Sequence, residues 1–520
     1  MQKKKFMNFR LSVCLAVIMV FVIIMLTKIF ISQNLKIALI VIFSLLFVIF
    51  LILFAFFKKK IFLLISIIDV AFLIPVLTVY FKTEKINRNL NLNVENCTIS
   101  GKIYKINKNL EENKIYIYLD DINYYSNEKQ ENFTGNFLVV ANSNGLETQQ
   151  LKNGCYLKVR CTPKLYKFEN KDDRSLSYIS RNITASCYVY SYNIEILDKY
   201  SPELRDKVKN AVYSNFSKTD TFFTNVGYAM MFGDSTVLDE EIVSVFQNTG
   251  VAHLLAVSGF HVSIIVAFLS FILNKLKTNK YAKLVIIAGI LIIYSYFCSF
   301  SPSVVRASIM AIVALYAGIR NKEYDGLSAL ALAMIFILLI NPLDLFNVSF
   351  VLSFVSVLSI ILLMPLFDRL FSKFLYNKIS SMLSLSFSVG LGLSLFQLYY
   401  FGKIPVLSFV SNLITVPIVS VLFIYVFVVA IIAPIFGIAT PLINLFGFGM
   451  KYILQFNNWL AGINLTISFE VVREMVLILS VLLMFVVSDY VFLRKRTKIV
   501  LSSSIAILLV LLVVFWVKID

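Results

Sequence analysis

The stretch Asn248-Thr-Gly-Val-Ala-His-Leu-Leu-Ala-Val-Ser-Gly-Phe-His-Val262 holds both histidines of the chain, His253 and His261, with Ser258 and Gly259 between them. An apolar run from Val262 to Leu273 follows. The polar cluster therefore stands at the entrance of a membrane helix, where a polar group without a partner is costly. On a continuous helix the two histidines are offset by roughly 80° around the axis, and Ser258, three residues from His261, is within its reach. Gly250 and Gly259 favour a break, which brings backbone groups to a cavity rather than to lipid. The simpler reading is that each histidine satisfies a neighbouring carbonyl inside a helix bundle.

Composition frames that stretch. Of 520 residues, 59% are hydrophobic and 15% charged, against about 25% charged in an ordinary soluble domain. Many long apolar runs at this composition indicate a polytopic α-helical membrane protein, not a globular enzyme with one anchor. A net charge of +18 invites a nucleic-acid partner, yet the excess lies in clusters between apolar segments: Lys3-Lys4-Lys5, Lys58-Lys59-Lys60, Lys275 to Lys283 and Arg494 to Lys498. The positive-inside rule accounts for such clusters without an anionic ligand.

Residues 11–26, 37–57 and 61–80 read as three spans, making 1–83 an N-terminal transmembrane region with a cytoplasmic N-terminus. The first has a basic flank like a signal peptide but no small-residue cleavage site. From 84 to 200 the apolar runs give way to five alternating stretches: Thr98 to Ile106, Lys114 to Leu119, Phe137 to Val140, Tyr156 to Cys161 and Ile183 to Tyr192. Asn113, Asn144-Gly145 and Asn153-Gly154 mark turns between them, so an extracellular antiparallel β domain with an oligonucleotide-binding (OB) barrel plan is expected. Tyr104, Tyr116 and Tyr118 are its candidates for stacking on DNA bases. Against this, residues 81–200 carry 17 Lys/Arg and 14 Asp/Glu, with Glu111, Glu112, Asp120 and Asp121 set to repel phosphate. Tyrosine is also a good strand former with no ligand at all. Cys97, Cys155, Cys161 and Cys187 share this domain as candidate disulfide cysteines, in pairings the sequence leaves open.

The remainder, 201–520, begins with a polar to amphipathic segment and continues through ten apolar stretches near 251–273, 281–299, 303–319, 326–340, 346–366, 380–401, 404–434, 440–461, 474–492 and 499–517. The total is about thirteen spans, and this count puts the basic clusters at 275–283, 320–322, 369–378 and 494–498 inside the cell. Arg306 stands within an otherwise apolar span, either lining a path, paired with an acid such as Asp344, or snorkelling to the interface. Segment 404–434, with Asn412, Pro417 and Pro434, is long for one straight span and is expected to be broken or re-entrant. Asn341-Pro342 and Asn412 are further places where a helix break exposes carbonyls to a pore. No phosphate-binding G-x-x-x-x-G-K-[ST] run is present, so the sequence shows no nucleotide-driven motor, no cofactor and no catalytic set beyond one alternative. That alternative is an intramembrane hydrolase with Ser258 as nucleophile and His261 as base. A transporter of another anionic polymer is the third reading.

The histidine stretch, followed by Ser301-Pro-Ser-Val-Val-Arg-Ala-Ser-Ile-Met310, Asn341-Pro342 and Phe350-Val-Leu-Ser-Phe354, resembles the ComEC family of competence proteins over roughly residues 200–420. The resemblance implies a bacterial plasma-membrane channel that passes single-stranded DNA inward, with an OB-like external domain. Under it His253, Ser258, Gly259, His261, Arg306, Asn341 and Asn412 become pore or gating candidates. The implied partners are single-stranded DNA, membrane lipids, separate receptor, nuclease and cytoplasmic motor proteins, and further copies of the chain. Many ComEC relatives carry a metallo-β-lactamase-type nuclease after the channel. That domain needs a histidine-rich metal cluster, and it is expected to be missing here.

Overall fold

A computed structural model describes the chain apart from residues 1–10, 29–32, 58–59, 93, 96, 110–113, 127–128, 143–150, 167–172, 217–220, 235–236, 437–438, 464, 469–473, 492–493 and 518–520. The turn signals at Asn113 and Asn144-Gly145, the acids Glu111 and Glu112, and the basic groups at 3–5 and 58–59 lie outside the described residues. The chain divides into two compact units: one contains Val212–Leu330 and Val351–Asp520, the other Leu11–Ala211 and Ala331–Phe350.

The second unit opens with α1 (Leu11–Lys28), α2 (Gln33–Phe57) and α3 (Lys60–Asn89). Its strands are β1 (Cys97–Asn109), β2 (Lys114–Ser126), β3 (Lys129–Glu131), β4 (Asn136–Asn142), β5 (Cys155–Cys161) and β6 (Lys164–Leu165), then, after helix α4 (Asp173–Ser180), β7 (Ile183–Val189) and β8 (Ile194–Tyr200). Each of the five stretches read from the sequence forms a strand, although the last ends at Val189, short of Tyr192. The three additional ones are two short edge pieces and β8, whose Ile-Glu-Ile-Leu alternation was available in the sequence. The sheet order is β6-β7-β4-β2-β1-β5-β8, with β3 on β2; contrary to the expected antiparallel domain, β4 runs parallel to β7, because helix α4 lies in the connection that leads into β7. Alternation puts Ile99, Ile103, Ile115, Ile117, Phe137, Val139, Leu157 and Val159 into one core. In water, burying each such side chain contributes roughly 1.5–3 kcal/mol. The opposite face carries the tyrosines expected to meet DNA. Tyr118 is buried, with Tyr104 and Tyr116 packed beside it among Ile86, Leu138, Ile179 and Leu343. Tyr104 and Tyr118 have ring centroids 6.0 Å apart, and burial pushes the Tyr118 phenol up to about 12. These rings cover a second core, and a base cannot stack on Tyr118 without opening it. The register sets Cys97 opposite Cys161, and the buried Cys97 thiol lies 2.9 Å from the Tyr124 hydroxyl.

The other unit is helical. After α5 (Leu204–Phe216) come α6 (Thr221–Phe232), α7 (Glu240–Asn248), α8 (Gly259–Lys275), α9 (Lys280–Phe297), α10 (Pro302–Ile319), α11 (Gly326–Ile340), which passes into the second unit from Ala331 on, α12 (Val348–Phe371) and α13 (Asn377–Phe401). A short strand pair, β9 (Lys403–Pro405) with β10 (Thr466–Ser468), brackets α14 (Ser408–Phe436) and α15 (Ala439–Gly462), and α16 (Glu474–Val487) and α17 (Lys495–Val517) close the chain. Among the described residues, six helices are long and apolar enough to cross a membrane, and five further apolar helices are shorter. The expected break in 404–434 is absent. A strand and turn occupy its first residues, and α14 runs unbroken through Pro417 and Pro434.

Packing between these helices follows membrane logic, where small residues and polar clasps replace hydrophobic drive. On α13, Ser380, Ser384, Ser388 and Gly392 recur every four residues, and the three serines are buried. A Cβ at 392 would overlap the Ser359 side chain of α12. Asn457 of α15 is fully buried and accepts from the Ser411 hydroxyl at 2.6 Å while donating to Thr415 of α14 at 3.1 Å.

Candidate functional site

Helix α7 cannot continue through the signature stretch, because Gly250 adopts φ +75°. A Cβ there would also stand 2.9 Å from Pro405 Cγ. Left-handed backbone against a packed neighbour admits glycine alone. Lys403 Nζ donates to Asn248 Oδ1 at 2.8 Å, which fixes the end of α7. A 3₁₀ turn at Ala252–Leu254 follows, with Leu254 buried and His253 exposed, and α8 begins only at Gly259. The span read from 251 therefore starts eight residues later as a helix, and the break between the histidines is real.

Ser258 is the N-cap of α8 in extended conformation. His261, one turn in, is fully buried, its ring 4.4 Å from that of Phe423 on α14. Its Nδ1 accepts the backbone N–H of Ser258 at 3.1 Å and lies 3.2 Å from Ser258 Oγ. An acceptor at Nδ1 places the proton of the neutral ring on Nε2. That Nε2–H is buried and has no hydrogen-bond partner. A Ser–His pair is thus present, but Nδ1 is already engaged by backbone and no acid orients the ring from its other side. For acyl chemistry this leaves the base without its third group.

Arg306 lies one turn inside α10, whose start is set by Pro302 at the first helical position and by a tight reversal in which Ser299 and Phe300 take positive φ. Only 5% of Arg306 is exposed. One amino group donates to the Ser353 carbonyl of α12 at 2.7 Å, and the guanidinium lies 5.9 Å from the centre of the Phe354 ring. Its other amino group packs onto Gly259, where any Cβ would collide with it. The Nε of Arg306 and the Ser308 hydroxyl are buried without partners. The acceptor of this cation is therefore a carbonyl dipole, not a counter-charge. Ser353 and Phe423 had no sequence signal of their own, although Phe350-Val-Leu-Ser-Phe354 stood out as a block.

The structure thus brings together Ser258, Gly259, His261 and Arg306 through Gly259. Asn412 is on α14, eleven residues or roughly 16 Å along the axis from Phe423, with its Oδ1 buried and unpartnered. Asn341 belongs to the second unit. There it accepts from Lys82 and donates to the Ser180 carbonyl at 2.9 Å and to Asp344 Oδ1 at 2.7 Å. Asp344 is thereby engaged with Asn341 rather than with Arg306.

Residues 230–497 match the family described as Competence protein. The chain is 30% identical over 194 residues to ComE operon protein 3 of Bacillus subtilis, an alignment covering 37% of this chain and 24% of the relative. Recombination protein 2 of Haemophilus influenzae is 29% identical over 210 residues, 37% of this chain and 26% of that one. A protein of Aquifex aeolicus is 31% identical over 150 residues, 29% and 35% of the two chains. The chain spans a quarter to a third of the length of the curated relatives it matches. No solved structure matches it.

Proposed function

Because this chain belongs to the competence protein family, we propose that it is a DNA-uptake component whose helical unit conducts a single strand across the bacterial plasma membrane. The observation that carries the reading is the buried donor set around Gly259. One Arg306 amino group reaches the Ser353 carbonyl, yet the Nε–H of Arg306 and the Nε2–H of His261 are held by the fold without acceptors. Passing phosphates supply such acceptors, and a guanidinium meets a phosphate with two parallel hydrogen bonds. In lipid the arginine would cost on the order of 3 kcal/mol.

The wider reading divides the chain at 83 and 200 into an N-terminal helical region, an extracellular OB-like domain and a channel of about thirteen spans in total, with the N-terminus cytoplasmic. The strand pairings support an OB plan: β1 lies between β2 and β5, and β4 runs parallel to β7. Each phosphate moved against an inside-negative potential costs about 2.3 kcal/mol per 100 mV. A separate cytoplasmic motor or a proton-coupled step supplies that work, with a receptor and a nuclease as further partners and a homo-oligomer as the proposed assembly.

The test is Arg306→Gln and His261→Ala, each scored for membrane-protein level and for DNA uptake. Uptake lost at normal protein level is the expected result. If abundance falls in step with uptake, the residues are scaffold and the conduit assignment fails. Labelling of Ser258 by an active-site serine probe would instead favour the hydrolase, which the 3.2 Å Ser258–His261 contact keeps open.

A further inference from the structure

Three exposed tyrosines at the end of β7 have no role in either core. Tyr188, Tyr190 and Tyr192 alternate along the chain and are 55%, 56% and 80% exposed. The rings of Tyr190 and Tyr192 lie 5.6 Å apart and 4° from parallel, and Tyr188 stands edge-on to Tyr190 at 6.5 Å. Strand propensity explains a tyrosine within a sheet. It does not explain Tyr190 and Tyr192, which lie beyond the last residue of β7, one of them in a 3₁₀ turn. Rings in register with more than half their surface in water leave apolar area that the chain itself does not cover.

Cations flank this row. Ile194, just past the turn, pairs with Val159, so the exposed Arg160 occupies the next register position on β5. The exposed Lys164 pairs with Ser186, two residues before Tyr188. The row also continues across the sheet: Tyr188 is opposite Val140, and Val140 is opposite Tyr116. Tyr116 packs beside the second core. The tyrosine face is therefore covered at the Tyr116 end and open at the Tyr188 end.

We infer that Tyr188, Tyr190 and Tyr192 form a stacking platform for the unpaired bases of single-stranded DNA, with Arg160 and Lys164 meeting its phosphates. The inference rests on the proposed passage of a single strand and gives that strand a receiving surface on residues other than Tyr104, Tyr116 and Tyr118. The parallel Tyr190 and Tyr192 and the edge-on Tyr188 offer exposed π faces, and stacking of bases on aromatic side chains tolerates any sequence. A duplex hides its base faces, so the platform selects single strands.

The experiment uses the full chain in nanodiscs and the fluorescence anisotropy of labelled oligo-dT and of a duplex of equal length. Replacing all three tyrosines by Ser should weaken oligo-dT binding by about tenfold or more, while Phe at all three positions retains it. Arg160→Gln with Lys164→Gln should flatten the salt dependence by roughly one unit of log–log slope. The platform is refuted by unchanged oligo-dT affinity in the Ser variant, by equal loss of duplex binding, or by no oligo-dT binding in the wild type. A membrane role emerges instead if Tyr190→Trp fluorescence is quenched by brominated lipid and not by oligo-dT. The two readings separate cleanly: Arg306→Gln with normal uptake removes the conduit and leaves the platform, whereas lost uptake with unchanged oligo-dT affinity in the Ser variant does the reverse.

Discussion

Two polar clusters stand among the apolar residues of this protein, a half-buried one in the second unit and a buried one in the other, and they are satisfied to different degrees. In the second unit Lys82, Asn341 and Asp344 form a chain of donors and acceptors, with Asn341 bonded to both charged partners and to the Ser180 carbonyl. In the other unit Arg306 reaches a backbone carbonyl, while its Nε, the Nε2 of His261 and the hydroxyl of Ser308 reach nothing. A buried donor without an acceptor costs on the order of 1–3 kcal/mol. Under the proposed function such donors are retained for an occupant. A satisfied cluster needs no other explanation than holding its segments together. The difference separates a clasp from a site, although both consist of ionisable residues in apolar surroundings.

The contrast is broken most directly at Lys82. Lys82→Met leaves the half-buried Asn341 and Asp344 without their cation, and a polar group stripped of its partner costs on the order of 1–3 kcal/mol, more for a charged one. The membrane level of the variant should fall sharply, with part of it restored by adding Asp344→Leu. A normal level in Lys82→Met would show that the cluster is no clasp. A smaller effect is expected at Gly259. Gly259→Ala drives a Cβ into the Arg306 amino group, and overpacking of this kind costs about 1–3 kcal/mol. Uptake should drop further than the thermal stability of the detergent-purified chain, since the displaced group is the one proposed to meet phosphate.

The pH response sharpens the comparison from the clasp side. Burial raises the Asp344 carboxyl from its ordinary 3.8 to about 6, against the opposing charge of Lys82 and the hydrogen bond from Asn341. Between about pH 4 and pH 6 the folded chain holds a proton that the unfolded chain has released, so this stabilisation is complete below the unfolded value and is lost as pH rises through the folded one. The melting temperature of Asp344→Asn should therefore vary less than that of the wild type over this window; an identical profile would remove the proposed linkage. The smallest effect belongs to Asn457. Its replacement by Ala removes the bonds to Ser411 and Thr415, and interhelical polar contacts in membranes average about 0.6 kcal/mol with a maximum near 1.7. A modest fall in melting temperature with uptake intact is the expected outcome.

Much of this arrangement was legible in the sequence. Five strands with period two, the presence of a helix within each apolar stretch, and the break between His253 and His261 follow from local patterns. The Ser258–His261 contact follows from a spacing of three, realised at an N-cap instead of mid-helix. Other features failed for identifiable reasons. A proline within an apolar run reads as a breaker, but α14 continues through Pro417 because neighbouring packing holds the helix. A tyrosine on a strand carries no mark of which face it takes or what covers that face, so Tyr118 and Tyr188 look alike until the sheet is built.

Composition and periodicity alone determined that this is a polytopic helical membrane protein with one β domain, because hydrophobic runs and alternation are properties of neighbouring residues. The motif blocks alone determined its family. Only the tertiary structure decided that Arg306 meets Gly259 and the Ser353 carbonyl rather than Asp344, and that Asn341 holds a clasp in the other unit. Apart from the local Asn341–Asp344 bond, those partners stand tens to hundreds of residues apart in the chain. No local pattern encodes them, since what selects a partner for a buried charge is which helices pack together and how closely their backbones approach.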